Sequence, residues 1–475
     1  MVSPRRVKAS SHSPLARRPA PAATGLRHRL RPDRVRAVAL EVLGAVREEG
    51  QLADRALARV QRRERGLWSA ERRTAAEAVY GVLRQETLID ALLRAAGHPP
   101  AALPPTEADA LRLATHLALD GAQEPGFAPP AAQAIARKAA GLRDAVLAAE
   151  RDPWDRLALA GSLPRWLVAL LGERLGEAET AALIDALNRR APLTARANLL
   201  KTTRDALAER LAQEGAPSHA CRFSPWGLFL DGHANAFSLP SFRDGLFELQ
   251  DEGSQLLVQL CGERLGAKVI DACAGAGGKT LALAAVMANR GELWALDVHE
   301  DRLEALRLRA RRAGAQNFRR QVITPEGPLP KAIEKLRGRA DTVLVDAPCS
   351  GVGALRRNPD ARRRLTEASV REHAERQLAI LRRMAPLVRP GGRLVYATCS
   401  LLWQENEDVV EAFLPGSGFE PEPPAATLGE VLATKLREAV TAGPAGLEAR
   451  LGLRLWPQRH GTDGFFGVAL RRASA

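Results

Sequence analysis

Cysteine is scarce in this 475-residue chain: five residues, Cys221, Cys261, Cys273, Cys349 and Cys399, with no CxxC pair and no Cys/His cluster. That excludes a disulfide framework and a structural zinc site, and it points to a reducing compartment, the cytoplasm. No uninterrupted apolar run of about 18 residues occurs, which excludes a transmembrane helix. Lysine is scarce too, at 8 of the 69 basic residues. The formal charge of +14 is therefore carried by arginine, which suits phosphate contact and base stacking, although a GC-rich coding bias accounts for the arginine total as well as for the abundant alanine. An excess of this sign implies an acidic partner, most simply nucleic acid.

Acid is nearly absent from the start of the chain, where residues 1–36 set ten basic residues against Asp33 alone. The segment is rich in Pro, Ala and Ser, so residues 1–32 are expected to be a disordered basic tail that favours non-specific RNA contact. Its composition also fits an organellar transit peptide, but Pro4, Pro14, Pro19 and Pro21 interrupt any amphipathic helix.

The length exceeds what one core usually supports, so several domains are expected. Val35, Val38, Ala39, Val42 and Val46 recur at helical spacing, and Gly50 stands where that helix should end. A second helix is expected from Ala70 to Arg94, and a third from Thr106, with Asp109 completing a capping box. Residues 33–155 thus read as an all-helical domain, and Pro129-Pro130 and Asp152-Pro153 as soft boundaries. Residues 156–245 read as a small mixed α+β subdomain, with helices over Trp166–Leu175 and Ala178–Leu187 and a strand around Trp226, Leu228 and Leu230.

Residues 246–475 change rhythm. Val269-Ile270, Leu293 to Leu296, Thr342 to Val345 and Arg393 to Ala397 are short apolar runs separated by helical stretches, the pattern of parallel strands in a doubly wound α/β sheet. Ligands bind at the carboxyl ends of such strands. The first end carries Asp271-Ala-Cys273-Ala274-Gly275-Ala276-Gly277-Gly278-Lys279, a glycine turn that lets a ligand approach backbone at a helix N-terminus. Asp297 ends the next strand, where a carboxylate accepts hydrogen bonds from ribose hydroxyls. The other two ends carry Asp346-Ala-Pro348-Cys349-Ser350-Gly351 and Thr398-Cys399-Ser400.

A ribose-bearing cofactor, two thiols and a carboxyl suit methylation at carbon 5 of a pyrimidine. A thiolate adds to carbon 6, so that carbon 5 becomes enamine-like and able to take the methyl of S-adenosylmethionine. The carboxyl stabilises charge at ring nitrogen 3, and a base removes the carbon 5 proton. The residues alone do not rank the two cysteines.

These three segments, in this order, resemble the signature of the RNA cytosine-5 methyltransferases. Further matches are Leu249-Gln-Asp251-Glu-Gly-Ser254-Gln255, Arg302 five residues after Asp297, Asn406-Glu407-Asp408, and His460-Gly-Thr-Asp463-Gly464-Phe465-Phe466. The segment Glu77-Ala-Val79-Tyr80-Gly81-Val82-Leu83-Arg84 resembles the NusB-type RNA-binding domain, and Arg196-Ala-Asn198 with Lys201 a small RNA-binding subdomain. The combination is similar to the branch that acts on bacterial 16S ribosomal RNA.

The resemblance implies a Rossmann-like S-adenosylmethionine-dependent domain after the NusB-like and small RNA-binding units. It implies Cys399 as nucleophile, Cys349 in product release and Asp346 against the cytosine. Cys273, Ala274, Gly275, Ala276, Gly277, Gly278, Lys279, Asp297, Arg302 and Asp346 would hold the cofactor. An RNA substrate, no metal, no membrane and a monomer are expected. The alternatives are the same chemistry on transfer RNA or another ribosomal site, or an RNA-binding assembly factor without turnover.

This chain departs from the family in three places. Gly275-Ala276 stands where the family has Ala-Pro, and Glu252-Gly253 differs from its Gln-Asp-Ala-Ser pattern. No aspartate follows the third strand in Gln321-Val-Ile-Thr324-Pro-Glu326, so Thr324 or Glu326 would meet the adenine, or nothing does.

Overall fold

A computed structural model describes residues 30–121, 127–232, 235–262, 265–441, 443 and 449–474. Most of the expected basic tail, residues 1–29, lies outside the described residues. Arg31 does not: its guanidinium lies over Trp68 at 4.2 Å and bonds the buried Glu71 carboxylate, Nε to Oε1 at 2.8 Å. Pro32 then opens the first helix, since its fixed φ suits a first turn and its missing N–H costs nothing there.

Helices α1 (Pro32–Glu48), α2 (Ala53–Arg63), α3 (Ser69–Ala95), α4 (Pro105–Leu119), α5 (Pro130–Gly141) and α6 (Arg143–Ala149) form the N-terminal bundle. The apolar stripe of α1, Val35, Val38, Val42 and Val46, packs with Ala75, Val79 and Val82 of α3 and Leu113 of α4. The crossing of α3 and α4 needs Gly81, where an added Cβ would lie 1.9 Å from His116 Nε2. The capping box expected at Thr106 is absent. Helix α4 starts at Pro105 instead, and Asp109 is buried against Arg112 Nη1 (3.0 Å) and Arg47 Nε (3.0 Å). Proline had already set the helix start, which freed the acid for a buried ion pair.

Asp152-Pro153 is likewise a helix start, of α7 (Pro153–Gly161), where the Asp152 carboxylate accepts from the amides of Trp154 (2.7 Å) and Asp155 (3.1 Å). Helix α8 (Arg165–Asn188) joins the two expected helices through Gly176 at φ 75°. Leu167, Leu171, Leu183 and Ile184 of α8 share a core with Val352, Leu355, Leu401 and Trp456, far along the chain. Buried Arg362 ties three helices to this core. It donates to the carbonyls of Arg84 (2.6 Å), Gly161 (3.0 Å) and Leu187 (3.1 Å), the last two at helix C-termini that favour a cation.

Next comes a four-stranded antiparallel sheet with order β2-β3-β1-β4. It holds β1 (Thr194–Ala197), β2 (Ser218–Ala220), β3 (Gly227–Leu230) and β4 (Phe247–Leu249), with α9 (Arg204–Gln213) and α10 (Pro240–Arg243). Helix α11 (Glu252–Gln259) leads into the large sheet. Its members are β5 (Lys268–Asp271), α12 (Gly278–Val286), β6 (Glu292–Asp297), α13 (Glu300–Ala313), β7 (Phe318–Val322), α14 (Lys331–Glu334), β8 (Ala340–Asp346), α15 (Glu367–Met384) and β9 (Val388–Thr398). Then follow α16 (Glu407–Phe413), β10 (Phe419–Glu422), α17 (Ala425–Leu428), α18 (Glu430–Thr441), β11 (Leu453–Leu455), α19 (Pro457–His460) and β12 (Phe465–Arg472).

The strand order is β10-β12-β9-β8-β5-β6-β7, with β11 on β12. Strands β5 to β9 are mutually parallel, as expected, but β12 runs antiparallel to β9 and β10 antiparallel to β12. Successive residues alternate between two buried faces. Val269, Leu293, Leu344 and Val395 pack on one side, and Ile270, Trp294, Val345 and Leu394 on the other. That double burial is why these strands read as continuous apolar runs. Strand β5 sits between β6 and β8, so the ends bearing Asp271, Asp297 and Asp346 converge on one edge.

Candidate active site

The glycine turn is set by two close constraints. Gly277 caps α12 at φ 87°, and a Cβ there would meet Leu306 Cδ1 of α13 at 2.2 Å. Gly275, at φ 53°, donates its amide to Asp297 Oδ2 (2.8 Å), while Asp297 Oδ1 accepts from the His299 amide (2.8 Å). Asp297 therefore braces the loop and still presents lone pairs at the strand end. Ala276 stands at the position of the proline this chain lacks, and the turn is held one residue earlier by left-handed Gly275, pinned by that carboxylate. Below the loop, Asp271 Oδ2 accepts from Thr280 Oγ1 (2.7 Å), and burial pushes Asp271 up to about 7. Cys273 and Ala274 line the turn, whereas Arg302 is exposed on α13.

Strands β8 and β9 pair in register, Val345 with Tyr396 and Asp346 with Ala397, so the two cysteine loops leave the sheet side by side. Cys349 Sγ and Cys399 Sγ are 3.3 Å apart. The Gly353 amide donates to the Cys399 carbonyl (2.9 Å), which ties one loop to the other. Lys279 Nζ lies 2.6 Å from Asp346 Oδ2. Burial pulls the Lys279 ammonium down, but the Asp346 charge and hydrogen bond, with Cys399 and Asp271 beyond, raise it on balance. The hydrogen bond to Cys399, burial and the charges of Cys399 and Glu405 together push the Cys349 thiol well up.

These groups face a cleft of about 500 Å³ also lined by Thr194, Gln250, Arg357 and Phe465. Its wall is a double ion pair that sequence reasoning did not assign. Arg357 Nη2 lies 2.8 Å from Asp251 Oδ2, Arg356 and Arg357 both bond Asp463, and the Asp463 amide donates to Asp251 at 3.2 Å. The adjacent arginines before Asn358-Pro359 were the available signal, but their partners lie about a hundred residues away on either side. The departure at Glu252-Gly253 also has a reason. Glu252 Oε1 accepts the amides of Phe223 (2.5 Å) and Ser224 (2.8 Å), and a Cβ on Gly253 would lie 2.5 Å from Phe465 Cδ2. After β7, the Thr324 hydroxyl donates to the Glu326 carbonyl at 2.6 Å.

The residues that resembled an RNA-binding motif work between domains. Arg196 Nη1 donates to Gln250 Oε1 (2.6 Å) and to the Gly278 carbonyl (2.9 Å), and Asn198 Nδ2 to the carbonyls of Gly245 (2.8 Å) and Ala313 (2.7 Å). Lys201 Nζ reaches the Asp244 and Arg312 carbonyls, both at 2.7 Å. They seat the small sheet on the glycine loop.

Buried His460 supports the same segment as Asp463. The Trp456 amide donates to its Nδ1 (2.9 Å), which leaves the Nε2 proton to donate to the Leu436 carbonyl (3.2 Å). Burial pulls this imidazole down to about 4. The unfolded chain binds a proton first, so the contribution of neutral His460 is complete above about pH 6.5 and lost as pH falls toward 4. Denaturant melts between pH 7 and 4 should show a loss of about 3 kcal/mol from this group, absent in His460→Asn. An unchanged pH slope in that variant would refute the assignment.

Three family models match in order: the NusB family over residues 33–118, the RsmF/B-like ferredoxin-like domain over 163–236, and 16S rRNA methyltransferase RsmB/F over 261–471. The chain is 32% identical over 430 residues to the probable ribosomal RNA small subunit methyltransferase B of Synechocystis, covering 85% of this chain and 92% of that protein. The Bacillus subtilis protein of the same description is 31% identical over 462 residues, covering 92% and 98%. The crystal structure of PH0851 superposes with a TM-score of 0.73 at 26% identity, covering 94% of this chain and 99% of that one. The expected family and fold are borne out, and the chain belongs to the 16S rRNA methyltransferase RsmB/F family of S-adenosylmethionine-dependent enzymes.

Proposed function

We propose that the protein methylates carbon 5 of a cytosine in 16S ribosomal RNA through a covalent bond from Cys399 to carbon 6. The observation that carries this reading is the 3.3 Å approach of two thiols at one cleft, beside the paired Lys279 and Asp346. The turn from Cys273 to Lys279, with Asp297 at the next strand end, fits S-adenosylmethionine. When bound there, the cofactor supplies an electrophilic methyl group.

The hydrogen bond to Cys399 and burial hold the Cys349 thiol well above its ordinary range, so we assign the attack on carbon 6 to Cys399 and the later proton transfer to Cys349. Asp346, held by Lys279, meets the cytosine at ring nitrogen 3, and the proton held by that pair is shared with nitrogen 3 as negative charge builds there. Once Cys399 is bonded to carbon, Cys349 passes its proton to water in the cleft, and the thiolate so formed takes the carbon 5 proton. The electrons of that carbon–hydrogen bond re-form the ring double bond, the carbon–sulfur bond breaks and Cys399 leaves as thiolate.

Methyl transfer from labelled S-adenosylmethionine to total RNA from cells lacking the gene tests the proposal, with the product mapped by bisulfite sequencing. One newly protected cytosine in small-subunit RNA is expected. Label confined to transfer RNA would keep the chemistry and discard the ribosomal target. Intact RNA binding without label would refute the enzymatic reading.

A further inference from the structure

Glu405 lies in the turn six residues after Cys399 and is fully buried. Among the described residues no lysine or arginine pairs with it, unlike Glu407 two residues on, which meets Arg454. Carboxylates are rarely buried without a cation unless hydrogen bonds replace it. Here they do. Oε1 accepts from the Ser350 amide (2.7 Å) and Gln377 Nε2 (3.2 Å), and Oε2 accepts from the hydroxyls of both Ser350 and Ser400. Ser350 follows Cys349, and Ser400 follows Cys399.

The same knot reaches further along each loop. Gln377 Nε2 also donates to the Pro348 carbonyl (2.9 Å), and the Tyr396 hydroxyl lies 2.5 Å from the Glu405 carbonyl. Asn406 Nδ2 donates to the Ser400 carbonyl at 3.0 Å. One carboxylate thus bridges the residues adjoining both thiols, and the serine hydroxyls it holds are 3.3 Å apart, as the sulfurs are.

We propose that Glu405 is a positioning residue that sets the separation of Cys349 and Cys399, and so the proton transfer to Cys349 that releases the adduct from Cys399. The inference rests on the two-thiol reading above, because only a reaction that uses both sulfurs needs their spacing held. A shift of about 1 Å at a reacting pair costs on the order of 100-fold in rate.

The test uses the full-length protein and a readout that needs no turnover. Diamide oxidises two neighbouring thiols to a disulfide, taking both electrons and both protons as it becomes a hydrazine. The rate of Cys349–Cys399 bridging, followed by peptide mapping, therefore reports their separation. Glu405→Ala should slow bridging about tenfold, because thiol exchange and coupling depend on access between the sulfurs. It should also lower kcat about 100-fold while KM for S-adenosylmethionine stays within about twofold. Glu405→Gln keeps the length and an acceptor for the Ser350 amide, and should recover most of both.

Wild-type bridging in Glu405→Ala would overturn the proposal. If that variant fails to fold, the double replacement Ser350→Ala with Ser400→Ala decides: slowed bridging supports the bridge, and an unchanged rate overturns it. Failure of the two-thiol reading looks different, since it would leave bridging sensitive to Glu405 while no RNA adduct forms in Cys349→Ala.

Discussion

Replacing Cys399 by alanine should abolish methyl transfer and covalent RNA capture together, whereas Cys349→Ala should accumulate an adduct that survives a denaturing gel. The asymmetry follows from the geometry. The sulfurs are in contact, yet hydrogen bonding to Cys399, burial and Glu405 all hold the proton on Cys349. On the proposed reading Cys399 is the sulfur that attacks. Removing it takes away the bond that activates carbon 5, and loss of a nucleophile of this kind costs roughly 10⁴-fold or more. Removing Cys349 leaves the attack intact and removes the group that takes the carbon 5 proton, so the intermediate has no exit. Incubation with labelled RNA followed by denaturing electrophoresis reads both outcomes. An adduct in Cys399→Ala, with none in Cys349→Ala, would exchange the two roles.

The largest expected effect on stability lies just behind the thiols. Arg454 and Glu407 form an ion pair with side chains 1% and 0% exposed, and Arg454 Nη1 also donates to the Leu401 carbonyl at 2.7 Å. The guanidinium lies over Trp403 at 4.6 Å and near Trp456 and Phe466 at 5.3 and 5.7 Å, packed as well as paired. Arg454→Met fills much of that space but leaves the Glu407 carboxylate buried with no cation. Breaking such a pair costs about 3–5 kcal/mol, far more than the pair itself contributes against an apolar substitute. Adding Glu407→Gln to Arg454→Met should recover much of the loss. Urea melts of the two single variants and the double variant close the cycle. Additive losses would show that the two side chains do not depend on each other.

Where a local rule and the tertiary context agreed, the sequence was legible. The stripe of α1, the long helix α3 and strands β5, β6, β8 and β9 follow directly from apolar spacing, because each is buried on the face or faces its periodicity declares. Strand β7 was reached only through the family pattern: Phe318-Arg-Arg-Gln-Val322 lies half-exposed at the sheet edge and shows neither a buried run nor clean alternation. Strand β12 was hidden behind a motif, and its antiparallel course depends on a long return that no local pattern records. The capping box at Asp109 misled because proline had already set the helix start, and a buried arginine pair claimed the acid.

The candidate site divides in the same way. The sequence by itself determined which chemical groups are present and which end of which strand carries them, because glycine turns, strand-terminal acids and cysteines beside small polar residues are local signals with local causes. Only the tertiary structure decided how they act on one another. The pairing of β8 with β9 brings two thiols fifty residues apart in the chain into contact. The same packing turns Arg196, Asn198 and Lys201 toward carbonyls between domains. It also places Glu405 where one carboxylate holds both cysteine loops. Distances between side chains far apart in the chain are set by how sheets and helices close on each other, and a residue's type carries no record of which partner that closure brings.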